Sequence, residues 1–63
     1  SKVLLTNREQ QIIDLYTKRL TDKEMAEKLG ISVATVKRHN VNIFNKLQVG
    51  SKRKALHVWS NTS

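Results

Sequence analysis

The chain has 63 residues, no cysteine and no proline, and 12 Lys and Arg against five Asp and Glu give a formal net charge of +7. A chain of this length makes one small domain, and the missing cysteines exclude a disulfide framework and a zinc–thiolate site. No apolar run approaches the roughly 20 residues of a membrane-spanning helix, and no signal-peptide pattern is present. We therefore expect one cytoplasmic domain over 1–63, with a core of about 5–59 and a frayed tail at 60–63.

Four helices are predicted in chain order from their capping residues and apolar spacing. The first begins with a capping box at Thr6 and Glu9, and the second with another at Thr21 and Glu24. Ser32 caps the third helix, and the fourth follows a glycine. The predicted helices cover about 7–19, 22–29, 33–47 and 52–59. The sequence therefore predicts an all-α fold.

A turn of only three residues, Gly30-Ile31-Ser32, separates the second and third predicted helices. Such a short connection makes the two helices cross steeply, as in a helix-turn-helix. Gly30 can adopt a positive φ without a Cβ penalty. Ala26 is small where the next helix passes close, and Val36 can pack back onto the second helix. These positions together predict a four-helix helix-turn-helix domain.

The positive charge is concentrated in the second part of the chain. Residues 1–27 contain five basic and five acidic residues, whereas residues 28–63 contain seven basic residues and no acidic one. A region with one sign of charge attracts a polyanion such as nucleic acid, although it could also be a solvated surface that keeps the protein soluble.

The third predicted helix separates a buried stripe from an exposed face without acids. Val36, His39 or Asn40, Ile43 and Leu47 form the stripe. The opposite face contains Thr35, Lys37, Arg38, Val41, Asn42, Asn45 and Lys46. A helix fits the major groove of duplex DNA, and an acid-free face of this length indicates phosphates nearby.

The segments LTNREQQIIDL, LTDKEMAEKLGISVATVKRHNVNIFNKLQV and SKRKAL resemble the LuxR-type (NarL/FixJ) DNA-binding domain from about Leu5 to Trp59. This resemblance implies four helices, of which the third reads duplex DNA and the fourth mediates dimerisation. It also implies the output domain of a bacterial transcription regulator, following a sensor or receiver domain. No cofactor and no metal are implied, and we expect a nucleoid-associated protein without membrane contact.

The resemblance assigns candidate site residues by position. Those matching base-facing positions are Lys37, Arg38 and Val41. Those matching positions that contact the DNA backbone are Thr21, Lys23, Thr35 and Lys46. Lys52 and Arg53 are further candidates for such contact, because cations near the start of a helix are unfavourable unless an anion such as a phosphate lies close. Lys52 stands where the family most often has arginine, and Lys54 where it often has glutamate. Lysine keeps the charge of arginine but loses its bidentate fork.

Apolar residues near the fourth helix are candidates for a dimer contact: Val49, Leu56 and Val58. Because Lys52, Arg53 and Lys54 would repel their symmetry mates, we expect a weak homodimer that forms on DNA.

Two other kinds of binding protein stay open at this point. One is the promoter-recognition domain of a sigma factor, which shares the helix-turn-helix; the other is a basic module that binds anionic membrane or a protein partner. An enzyme is not expected, because no nucleophile–base pair and no set of residues at metal-ligand spacing can be assembled. His39, the one residue of the third helix that could act as a base, has no acidic partner at such spacing.

Overall fold

The computed structural model describes residues 4–62, and the predicted domain ends at 1–3 and 63 lie outside them. Within the described residues the chain forms helices and turns, with no strand. The helices are α1 (Asn7–Tyr16), α2 (Asp22–Leu29), α3 (Val33–Leu47) and α4 (Lys52–Thr62). The all-α, four-helix prediction is therefore confirmed.

Side-chain caps determine where the first two helices begin. The Thr6 hydroxyl accepts a hydrogen bond from the Glu9 backbone N–H at 3.2 Å, and the Glu9 carboxylate accepts one from the Thr6 N–H at 3.0 Å. Thr21 and Glu24 repeat this reciprocal arrangement at 3.2 and 2.9 Å. Each box satisfies backbone donors that have no partner inside the helix, and both predicted capping boxes are confirmed.

The connection between α2 and α3 is the predicted tight turn. Gly30 has a φ of 70°, in the left-handed region, and ends α2. The Ile31 N–H then donates to the Ala26 carbonyl at 3.0 Å, which closes the helix end. Ser32 accepts from the Thr35 N–H at 3.1 Å and starts α3. This turn fixes the angle at which α3 leaves the core.

Two predicted helix ends were wrong. The first helix ends at Tyr16 rather than at about 19, because the chain tightens into a turn in which N–H groups bond to carbonyls three residues back. That turn closes with Arg19 at a φ of 56°. The fourth helix continues through the predicted frayed tail to Thr62. Asn61 and His57, one helical turn apart, are joined by a side-chain hydrogen bond of 3.1 Å that supports the extra turn.

Apolar side chains from all four helices and the preceding segment meet in one core. Its buried members are Leu5, Ile12, Ile13, Leu15, Tyr16, Met25, Ala26, Val36, Ile43, Leu47 and Ala55. In the stripe of α3, the position left open between His39 and Asn40 is taken by Asn40, which is 6% exposed, whereas His39 is half-buried. This packing holds α3 with its opposite face toward solvent.

Candidate nucleic-acid interface

The three predicted base-facing residues lie exposed along α3. Lys37, Arg38 and Val41 are spaced so that they share one side of the helix, opposite the buried Val36 and Ile43. Val41 is 55% exposed, which is unusual for an aliphatic side chain of a domain this small. This face presents two cations and an apolar contact to whatever approaches α3.

The α2 end of the surface carries Thr21 and Lys23, which are both exposed. The Thr21 hydroxyl already accepts the Glu24 N–H, and half-buried Thr35 on α3 shares a hydrogen bond of 2.8 Å with the Ser32 hydroxyl. Both threonines thus serve as parts of helix caps. Their predicted backbone contacts stay predictions.

Lys46 of α3 forms an ion pair with Glu9 of α1. Its Nζ lies 2.7 Å from Oε1 of Glu9, whose side chain is almost fully buried, while the Lys46 side chain is 37% exposed. Burial opposes ionisation of Glu9, but hydrogen bonds from Lys46 and Thr6 outweigh it and hold the pKa of Glu9 below its usual range. Glu9 therefore caps α1 and anchors α3 with one carboxylate.

A second polar network joins all four helices. The Tyr16 hydroxyl of α1 donates to Oδ1 of Asn40 on α3, and Nδ2 of Asn40 donates to Oδ1 of Asp22 at 3.1 Å. Nζ of Lys52, at the start of α4, lies 2.7 Å from the same Asp22 oxygen. Asp22 is the first residue of α2, so this carboxylate receives hydrogen bonds from both later helices.

The charges in this network keep each group in one protonation state. The Lys52 ammonium lowers the pKa of Asp22 against the effect of burial, and Asn40 and Lys37 lower it further. Burial, reinforced by the charge of Asp22, raises the pKa of Tyr16 far above its usual value. Tyr16 is therefore a neutral donor, and Asp22 an ionised acceptor, at neutral pH.

These ion pairs give two predicted phosphate contacts an additional structural role. Lys46 and Lys52 each have a carboxylate partner inside the domain, yet their side chains are 37% and 38% exposed. A DNA phosphate at either lysine would have to share the ammonium with that carboxylate. Their partners lie 37 and 30 residues away in sequence, so local patterns did not reveal them. The sequence feature that pointed to the network around Asp22 was Asn40, a polar residue within the apolar stripe of α3.

The three dimerisation candidates do not form one patch. Val49 and Val58 line an open cleft with Arg53, Lys54 and His57. Leu56 lines a different cleft, between the end of α1 and the start of α4. All three are half-buried and pack partly against the core of their own domain, which reduces the apolar surface left for a partner.

Residues 4–62 contain no group of three His, Asp or Glu side chains arranged to hold a metal ion. Over the same range, no helix is both long and apolar enough to cross a bilayer.

A short turn between α2 and α3, a packed α3 and an exposed cationic face together define a helix-turn-helix domain of the DNA-binding class. Residues 3–59 match the family described as "Bacterial regulatory proteins, luxR family", and the chain belongs to this family. It is accordingly a LuxR-type DNA-binding domain of a transcription regulator. The comparisons give no support to the sigma-factor, membrane or protein-module alternatives.

Individual relatives agree with this assignment. The chain is 41% identical to the spore germination protein GerE of Bacillus subtilis, over 89% of this chain and 76% of GerE. It is 43% identical to the transcriptional regulatory protein LiaR of B. subtilis, over 81% of this chain and 24% of LiaR. For the oxygen regulatory protein NreC of Staphylococcus carnosus the identity is 45%, over 78% of this chain and 23% of NreC. The chain thus spans about a quarter of the length of most of these relatives.

Proposed function

We propose that this domain recognises a specific duplex DNA site with α3 in the major groove, as the output domain of a bacterial transcription regulator. The observation that carries the proposal is the exposed face of α3, which presents Lys37, Arg38 and Val41 and lies opposite the buried stripe of the same helix. Lys37 and Arg38 can donate to guanine O6 and N7, and Val41 can contact a thymine methyl group.

Surrounding cations and polar groups fix the register of α3 by binding phosphates. The residues proposed for this role are Thr21, Lys23, Thr35, Lys46, Lys52 and Arg53. If between four and six phosphates are neutralised, the slope of log K against log salt should be about −3.6 to −5.4. An affinity that does not change with salt would contradict nucleic-acid binding altogether.

Duplexes selected from a random pool would supply the site and test the division between base and phosphate contacts. Lys37→Ala and Arg38→Ala should weaken binding to the selected site more than to random duplex, by about 1–3 kcal/mol for each base that the side chain reads. Arg53→Ala should weaken both about equally. Lys28→Ala, which removes an exposed cation that has no proposed contact, is the matched control. Equal effects of all variants on both duplexes would refute the assigned base contacts.

Lys46→Ala needs a separate comparison, because it also breaks the ion pair with Glu9. Its phosphate contact predicts weaker binding to both duplexes after correction for the folded fraction. If the correction removes the whole effect, Lys46 is a structural residue only.

We further propose that two copies pair weakly through α4 on DNA. A module of this size reads few base pairs, and a two-fold arrangement doubles the site. Val49 and Val58 are half-buried and share their cleft with Arg53 and Lys54, so the interface should bury less than the roughly 1,200 Å² of a stable complex. Sedimentation should show a monomer at micromolar concentration, and the selected site should contain inverted half-sites about one helical turn apart. A tight dimer without DNA would contradict this account.

The setting of the domain is also proposed. LiaR and NreC are regulators of which this chain spans about a quarter, which supports a sensor or receiver domain joined to it. We propose that the protein acts in the cytoplasm at the nucleoid, because its target is DNA. The proposal needs no cofactor and no catalytic residue.

A further inference from the structure

Arg19 is held in a backbone conformation that arginine rarely adopts. Its φ of 56° lies in the left-handed region, and among the described non-glycine residues only Gln48 shares this feature. The Arg19 side chain is exposed, so core packing does not compensate for the unfavourable conformation. The left-handed residue ends the turn that follows α1, as is common at helix ends, and Arg19 thereby lies beside the start of α4.

Arg19 lines an open cleft of about 560 Å³ between the end of α1 and the start of α4. Arg19, Lys52 and Arg53 supply its cationic rim, and none of the residues that line it is acidic. The other residues that line it are Tyr16, Leu20 and Leu56. Two chain segments far apart in sequence thus bring three cations to one concave surface, which is complementary to an anion.

The cleft lies next to residues of the proposed DNA interface. Lys52, on its rim, bonds to Asp22 at 2.7 Å, and Asp22 is close enough to Lys37 of α3 for that lysine to lower its pKa. Thr21, proposed to contact phosphate, lies two residues after Arg19. The cleft therefore lies beside Thr21 and Lys52, two of the residues proposed to contact phosphate.

We propose that Arg19 and Arg53 bind a phosphate of the DNA backbone outside the base pairs that α3 reads. The inference rests on the proposed DNA-binding function and extends its footprint. A guanidinium can bond two phosphate oxygens at once, and the N–H groups at the start of α4 add a favourable dipole. An anion there also offsets the cost of placing Arg53 near the positive end of a helix, a cost that Asp22 already offsets for Lys52.

The test uses a matched pair of substitutions at the two left-handed non-glycine positions. Arg19→Asn removes the charge and introduces a residue that tolerates positive φ. Gln48→Asn introduces the same residue at the other left-handed position without altering the charge. Arg19→Lys retains the charge and loses the bidentate fork. Each variant is compared with the wild-type domain by thermal melting and by salt titration of DNA binding.

Two duplexes separate the flanking phosphate from the base contacts. One ends at the selected half-site, and the other continues for about half a helical turn on each side. On the long duplex, Arg19→Asn should lower affinity several-fold and reduce the magnitude of the salt slope by about 0.9. On the short duplex it should bind like wild type. On the long duplex, the affinity of Arg19→Lys should lie between those of the wild type and Arg19→Asn. Gln48→Asn should match the wild type on both duplexes.

A neutral methylphosphonate placed at successive flanking positions identifies the phosphate itself. One position should weaken wild-type binding and leave the Arg19→Asn variant unaffected, because that variant has no guanidinium to bind the phosphate. The inference is overturned if the wild-type domain binds DNA but Arg19→Asn has wild-type affinity and salt slope on the long duplex. An acidic protein segment would then be the better occupant of the cleft. If the wild-type domain binds neither duplex, the proposed function itself fails.

Discussion

Replacing Tyr16 with phenylalanine removes one hydroxyl from the network that joins all four helices. The ring remains in the core, so apolar packing is retained, but Oδ1 of Asn40 loses its donor. Asn40 is only 6% exposed and water has little access to it. Leaving a buried acceptor without a partner costs about 1–3 kcal/mol. We expect Tyr16→Phe to lower the free energy of unfolding by about 1.5 kcal/mol.

That decrease is large for a domain of this length. At roughly 0.05–0.15 kcal/mol per residue, the whole free energy of unfolding is about 3–9 kcal/mol. In small domains a decrease of 1 kcal/mol lowers Tm by about 4–8 °C, so the variant should melt about 6–12 °C below the wild type. Far-ultraviolet circular dichroism during heating measures this shift, because the described chain is mostly helical.

A double-mutant cycle separates the hydrogen bond from other effects of the substitution. Asn40→Ala and Tyr16→Phe should be non-additive by at least about 0.5 kcal/mol, because the two residues are in direct contact. Thr17→Val removes an exposed hydroxyl that bonds to the Asp14 carbonyl, and it should change stability by less than about 0.5 kcal/mol. A Tyr16→Phe variant with the same Tm as the wild type would refute the structural importance of the network.

Three further outcomes follow from the packing and the charges. Acidification should destabilise the fold, because folding lowers the pKa values of Glu9 and Asp22. Their contribution to the free energy of unfolding is complete above the unfolded pKa values of about 4, and it is lost as the pH falls through the folded pKa values. Gly30→Ala should cost about 1 kcal/mol in chemical denaturation, because φ is positive although no atom lies within 4 Å of the added Cβ. Ile43→Ala, at a fully buried position, should cost about 2–5 kcal/mol in the same assay.

Each of these outcomes has a matched control. The Glu9→Gln and Asp22→Asn double variant should have a flatter acid transition, and an unchanged transition would show that other groups cause it. Gly50→Ala has equal space and no positive φ, so a cost equal to that of Gly30→Ala would contradict the conformational argument. Val41→Ala, on the exposed side of α3, should keep the fold and weaken DNA binding.

Features that depend on neighbouring residues could be predicted from the sequence. The capping boxes and the α2–α3 turn need only residues three to six positions apart, and the exposed face of α3 follows from its helical period. The end of α1 could not be predicted in this way. No glycine or proline stands at 17–19, and the turn there leaves an arginine in the left-handed region, against its conformational preference.

Local sequence patterns could not predict the ion pairs, for a different physical reason. Lys52 was assigned to a phosphate because a cation near the start of a helix needs a negative charge, and the structure contains one in Asp22. The same argument from electrostatics holds for either anion, so only the three-dimensional contact distinguishes a carboxylate of the domain from DNA. Lys46, assigned to a phosphate by its family position, likewise has a carboxylate partner in the domain, Glu9.

The buried Asn40 restricts how DNA specificity can be transplanted between regulators. Positions 37, 38 and 41 are exposed and can be exchanged one by one with little effect on folding. A whole α3 grafted into another scaffold also carries Asn40, whose two hydrogen bonds require Tyr16 on α1 and Asp22 at the start of α2. A recipient without those partners would receive a buried amide with nothing to bond. Chimeric regulators should therefore exchange the surface residues of α3 and retain the recipient's own residue at position 40.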